Sequence, residues 1–210
     1  MNIQSISIVV PTKGCVNQCK FCVSRMHTND YESNFNKFQI QKRIKWAVMN
    51  GINTCIITGT GEALQNKPFL YALTDIFKEL DHPFPNVEFQ TSGVLLTAAD
   101  NIQHLRDLGV NTISLSVSDV YDNFNTEIIG MPPSLRFDLK ELCQRIKYEG
   151  FNLRLSLNMT KYYDDCTPKD LINRCKHLGA DQVTFRKLYF ADDNSEQTQW
   201  VKQKDRKSVV

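Results

Sequence analysis

The 210-residue chain is 41% hydrophobic and 23% charged, the size and make-up of one globular domain that can bury a core. A formal charge of +2 and a pI near 8.1 are too mild to mark a nucleic-acid or membrane-surface protein, and the locally basic stretch Lys202, Lys204, Arg206 and Lys207 reads as a solvated helix end. The opening MNIQSISIVVPTKG has no basic flank, long apolar run or cleavage site, and no later stretch reaches the roughly 18 apolar residues of a membrane span, so a cytoplasmic protein is expected.

The elements follow in chain order. Ile6, Ile8 and Val10 place apolar side chains on one face of a first strand that ends at Pro11. After a cysteine-rich loop, Ile40, Ile44, Ala47 and Val48 stack on one helical face, with Gly51 as the stop. TCIITG is the second strand. Pro68 opens a helix with a stripe of Phe69, Leu73, Ile76, Phe77 and Leu80, and VEFQTSG is the third strand. Thr97 with Asp100 predicts a capping-box-like start for a helix that stops at Gly109, before strand four, TISLSVS. Leu139, Leu142, Cys143 and Ile146 make the next stripe, ending at Gly150; LRLSLNMT is strand five. Thr167, Pro168 and Asp170 start a helix ending at Gly179, and QVTFRKL is strand six.

Strands separated by helices imply parallel pairing through right-handed crossovers, as a doubly wound sheet or a barrel. A sheet covered on both faces has near-continuous apolar strands, yet Ile113, Leu115 and Val117 alternate with Ser114, Ser116 and Ser118, and Leu153, Leu155 and Leu157 with Arg154, Ser156 and Asn158. One face meets helices and the other lines a wet interior. The expected fold is therefore α/β, a partial (β/α)6 TIM-like barrel with parallel strands and outer helices. Residues 1–190 form the core domain and 191–210 a C-terminal tail, helical or partly flexible.

Seven cysteines, three of them within eight residues, fit a reduced compartment and a metal site better than a disulfide framework. Cys15, Cys19 and Cys22 follow strand one at the C-terminal mouth, where such folds keep their chemistry. Three thiolates suit an iron-sulfur cluster with one open iron. The alternative is structural zinc with His27 as fourth ligand, which would make the chain an interaction or nucleic-acid-binding module.

The Cys-x3-Cys-x2-Cys spacing, with Phe21 just before the last cysteine, resembles the radical S-adenosylmethionine (SAM) superfamily. Strand two runs into Thr58-Gly59-Thr60-Gly61-Glu62, similar to that family's glycine-glycine-glutamate motif, and the likeness extends over residues 5–188. The resemblance implies a [4Fe-4S] cluster on Cys15, Cys19 and Cys22 that cleaves SAM reductively to a 5'-deoxyadenosyl radical. It also implies a one-electron donor such as flavodoxin or ferredoxin, and a substrate that is a small molecule, a nucleotide or a protein. SAM contacts are expected from Phe21, Gly59, Gly61, Glu62, Ser92, Ser116, Ser118, Arg154 and Asn158, with Arg186 the weakest candidate. GTGEALQN followed by QTSG is similar to members that methylate ribosomal RNA, and the compact size suits glycyl-radical activating enzymes.

Among the remaining residues, Cys55, Cys143 and Cys175 read as core. Cys166, in the loop after strand five, is the candidate hydrogen-atom donor or acceptor. Tyr121, Tyr162 and Tyr163 sit on loops that can face substrate, whereas His82, His104 and His177 are expected at the surface.

Overall fold

The structure, a computed structural model, describes residues 3–26, 36–121 and 124–206. In chain order its elements are β1 (Ser5–Val10), α1 (Val23–Met26), α2 (Lys37–Met49), β2 (Thr54–Gly59), α3 (Lys67–Glu79), β3 (Asn86–Thr91), α4 (Ala99–Asp107), β4 (Thr112–Val117), α5 (Asn125–Ile128), α6 (Leu139–Tyr148), β5 (Asn152–Met159), α7 (Pro168–His177), β6 (Gln182–Lys187) and α8 (Glu196–Lys204). The six strands pair in parallel and in sequence order, β1 to β6.

That order settles the architecture. With no reversal in the sheet, crossovers of one hand put every connecting helix on the same face, so the sheet is singly wound. Among the described residues β1 and β6 do not pair, so the barrel is partial. The helix-facing side carries the core, including Val10, Ile57, Phe89, Leu115 and Leu155, all fully buried. Cys55, Cys143 and Cys175 belong to it as expected, and burial pushes the Cys55 thiol up to about 12. No helix among the described residues is long and apolar enough to cross a membrane.

Local signals explain most boundaries. The side chains of Asn36, Asn66 and Asp138 cap α2, α3 and α6, and at the start that the sequence predicts for α7, Thr167 and Asp170 form a reciprocal capping box. The Thr97–Asp100 start does not form: α4 begins at Ala99 with Ala98 at the cap and no side-chain bond there. The Thr97 carbonyl accepts a tertiary hydrogen bond from Arg145 at 2.6 Å. His104 is a second correction, being buried rather than at the surface. Its ring stacks on Tyr71 at 4.2 Å and its Nε2 lies 3.3 Å from the Thr74 hydroxyl, and burial pulls its pKa below the usual histidine value.

The described part of the expected tail, residues 191–206, carries α8. α8 packs on α1 through a small cluster of Met26, Leu188, Ala191 and Val201, joined at its edge by Phe21 and Trp200.

Candidate functional site

Two loops make the centre of the site, and the sequence between them is chosen for close approach. The loop after β1 carries the cysteines, and the loop after β2 is fastened to it by hydrogen bonds. Thr12 N–H donates to Thr60 Oγ1 at 2.9 Å, Val16 N–H to Gln65 Oε1 at 2.7 Å, and Asn66 Nδ2 to the Pro11 carbonyl at 2.6 Å. A side chain at Gly61 would put its Cβ 2.6 Å from the Gly14 carbonyl oxygen and 2.9 Å from Cys15 Cβ. The glycine expected to admit a ligand thus first admits the cysteine loop.

Cys15, Cys19 and Cys22 come together on the wall of one pocket. Burial pushes the Cys19 thiol up to about 12, with Cys22 and Cys15 acting in the same direction. Burial also raises Cys15, while the backbone N–H groups of Asn17 and Glu62, directed at its sulfur, pull the other way. Cys15 and Cys19 thus resist ionising until a metal takes the protons' place. Among the described residues no three His, Cys, Asp or Glu side chains close around a single metal ion; a cluster that takes one thiolate per iron does not ask them to. His27, the fourth ligand of the zinc alternative, lies outside the described residues.

Glu62 is 3% exposed, yet both its oxygens are occupied. Oε1 accepts from the Thr91 hydroxyl at 2.8 Å, and Oε2 from Ser92 N–H at 2.9 Å and the Ser92 hydroxyl at 2.6 Å. Ser92 Oγ in turn accepts from Asn17 Nδ2 at 2.8 Å. One chain of bonds therefore joins the glutamate motif, the end of β3 and the cysteine loop. It fixes the Asn17 amide, whose Oδ1 is buried without a partner. On the far wall, Asn158 Nδ2 donates to Ser116 Oγ at 3.1 Å and Ser118 Oγ at 3.2 Å.

The pocket measures about 380 Å³, within the range of roughly 300–1,000 Å³ typical of small-molecule sites. Of the residues singled out from sequence, the cysteines, Phe21, Gly59, Gly61, Glu62, Ser92, Ser116, Asn158 and Arg186 line it. Three candidates lie elsewhere. Arg154 faces inward but sits nearer the start of β5, ion-paired with Glu88 and bonded to Gln182 through Nε at 2.8 Å. Ser118 is fully buried behind Asn158. Cys166 packs against the main core with its sulfur 3.9 Å from the Tyr121 hydroxyl. Tyr163 is likewise interior, its hydroxyl accepting from Val120 N–H at 3.1 Å, and Tyr162 stacks on Phe124.

Sequence reading missed Asn17, Thr58, Leu188 and Tyr189 on the pocket wall. Strand alternation could have found Thr58, which shares the inward face with Ile56. Leu188 and Tyr189 carry no local signal, since their place depends on where β6 ends and α8 docks.

A model of the Radical SAM superfamily matches residues 9–134, more than half of the chain. No curated protein matches the sequence. Among solved structures, the chain is similar to coproporphyrinogen III oxidase (HemN) of Escherichia coli, with a TM-score of 0.59 and 16% identity over 93% of this chain and 46% of that one. It is also similar to anSMEcpe with bound AdoMet, at TM-score 0.64 and 14% identity over 91% and 54%. A third similar fold is the radical SAM methyltransferase TsrM of Kitasatospora setae, at 0.59 and 12% over 89% and 36%. The chain thus spans about half the length of these proteins or less. The family match covers both the cysteine loop and the glycine-glutamate turn that together wall the pocket, and on that ground the chain belongs to the radical SAM superfamily.

Proposed function

We propose that this chain is a radical SAM enzyme whose Cys15, Cys19 and Cys22 hold a [4Fe-4S] cluster and whose pocket binds SAM beside it. The observation that carries the reading is the meeting of three thiols and the Gly59–Glu62 turn on one pocket at the C-terminal ends of the strands. The donor set fits: thiolates for iron, and polar uncharged side chains for a nucleoside and amino-acid ligand. When bound, these groups supply one-electron cleavage of SAM to methionine and a 5'-deoxyadenosyl radical, which takes hydrogen from a substrate.

The chain's own residues do the rest. The N–H groups of Asn17 and Glu62 stabilise the Cys15 sulfur as thiolate. Glu62 stiffens the turn and the end of β3 by accepting three hydrogen bonds, and Asn158 and Ser116 present a fixed polar wall opposite. Phe21 packs against the α8 cluster and so holds that side of the cysteine loop in place. A one-electron donor such as flavodoxin or ferredoxin, and a reduced cytosolic setting, belong to this reading because ligating thiolates and a low-potential cluster need both.

Protein purified without oxygen is expected to be brown, to hold roughly four iron per chain, and after reduction to convert SAM to 5'-deoxyadenosine without added substrate. Cys15→Ala, Cys19→Ala and Cys22→Ala should each lose the iron, and Cys55→Ala should keep it. Colourless protein with stoichiometric zinc refutes the reading.

A further inference from the structure

The inward face of the sheet carries two arginines with opposite fates. Arg154 on β5 is neutralised by Glu88 on β3 and held further by Gln182. Arg186 on β6 stands beside Asn158 in the register, near the mouth, and lines the pocket. Among the described residues its side chain makes no ion pair or hydrogen bond. The carboxylate among the pocket-lining residues, Glu62, is occupied by Thr91 and Ser92. Lys187 adds a second cation to the wall. Asn158 has committed its amide donor to Ser116 and Ser118, so on this side the guanidinium is the donor with two N–H groups arranged for one ligand group. It springs from a paired strand, and its planar fork matches an oxyanion in two-point contact.

We propose that Arg186 anchors an oxyanion, a carboxylate or a phosphate, of the molecule bound in this pocket. The inference rests on the pocket being the SAM and substrate site. Two sources share that chemistry: the carboxylate of SAM itself and an oxyanion on the substrate. In the first case Arg186 orients the cofactor; in the second it selects anionic substrates.

The test uses cluster-loaded protein prepared without oxygen, as parent, Arg186→Gln, Arg186→Lys and, for charge alone, Arg43→Gln on α2. Iron content confirms that each is assembled. Equilibrium binding is measured for SAM, for 5'-methylthioadenosine, which lacks the amino-acid carboxylate, and for inorganic pyrophosphate with and without SAM. If the anion is SAM's, Arg186→Gln weakens SAM roughly 10- to 100-fold and leaves 5'-methylthioadenosine unchanged. If it is the substrate's, SAM binds the variant as it does the parent, and pyrophosphate binding to the SAM-loaded protein is lost. Arg186→Lys falls between in either case, and Arg43→Gln matches the parent. The proposal is overturned if Arg186→Gln changes neither SAM nor pyrophosphate binding. A parent that binds no SAM instead removes the SAM reading of the pocket, and pyrophosphate binding without SAM, lost or kept in Arg186→Gln, then decides the role of Arg186.

Discussion

Glu62 reads as a ligand contact in the sequence and acts as a keystone in the structure. Its carboxylate takes one bond from Thr91 and two from Ser92, and Ser92 passes the constraint to Asn17 in the cysteine loop. Truncation to alanine strands three donors in a site that water barely reaches, at a cost of about 1–3 kcal/mol. Glu62→Ala is therefore expected to lower stability in urea by that amount, keep iron, and bind SAM more weakly. Glu62→Gln, whose amide oxygen can still face Ser92, should recover most of the stability. Equal stability of Glu62→Ala and parent contradicts the role of this network.

At the scale of elements, α8 changes the meaning of the C-terminal segment. Trp200 lies 6.2 Å from Phe21, and Val201 is fully buried with Met26 of α1. Asp205 accepts from Leu188 N–H at 3.3 Å, and Arg206 N–H donates to the Met159 carbonyl at 3.2 Å. The segment is thus tied to the ends of β5 and β6 while its helix rests on the cysteine loop. Removing the Trp200 ring should loosen that loop more than the sheet. Trp200→Ala is expected to lose iron to a chelator several-fold faster than parent, Trp200→Phe to restore the rate, and Tyr148→Ala, a change at an exposed α6 position, to leave it alone. Unchanged iron release in Trp200→Ala counts against the clamp.

For the whole molecule, the decisive feature is a curved sheet whose two ends do not meet. The pocket draws on the ends of β2 to β6 and on the loop after β1, so a ligand bound there bridges the gap the backbone leaves. Binding raises the free energy of any opening that breaks the site. Saturating SAM should therefore slow amide exchange in both edge strands, β1 and β6, as well as in the loops that touch it. Hydrogen-exchange mass spectrometry on cluster-loaded protein checks this; protection confined to the loops contradicts the bridging role.

What the sequence determined by itself is what depends on neighbours along the chain. The alternation of Leu115 with Ser116 and of Leu157 with Asn158 announced a one-sided sheet, because side chains of a strand alternate faces whatever they meet. The caps at Thr167 and Asp170 and the cysteine spacing are local in the same sense. The tertiary structure decided the rest. Whether an inward arginine is spent or available depends on the partner opposite, and Glu88 lies 66 residues from Arg154, so no periodicity separates Arg154 from Arg186. His104 looked like a surface residue until α3 set Tyr71 against it. The glycine-glutamate turn was legible as a motif, but its bonds to β3 and the cysteine loop were not. Propensity and pattern act over a few residues; pairing across the barrel is set by packing of the whole chain.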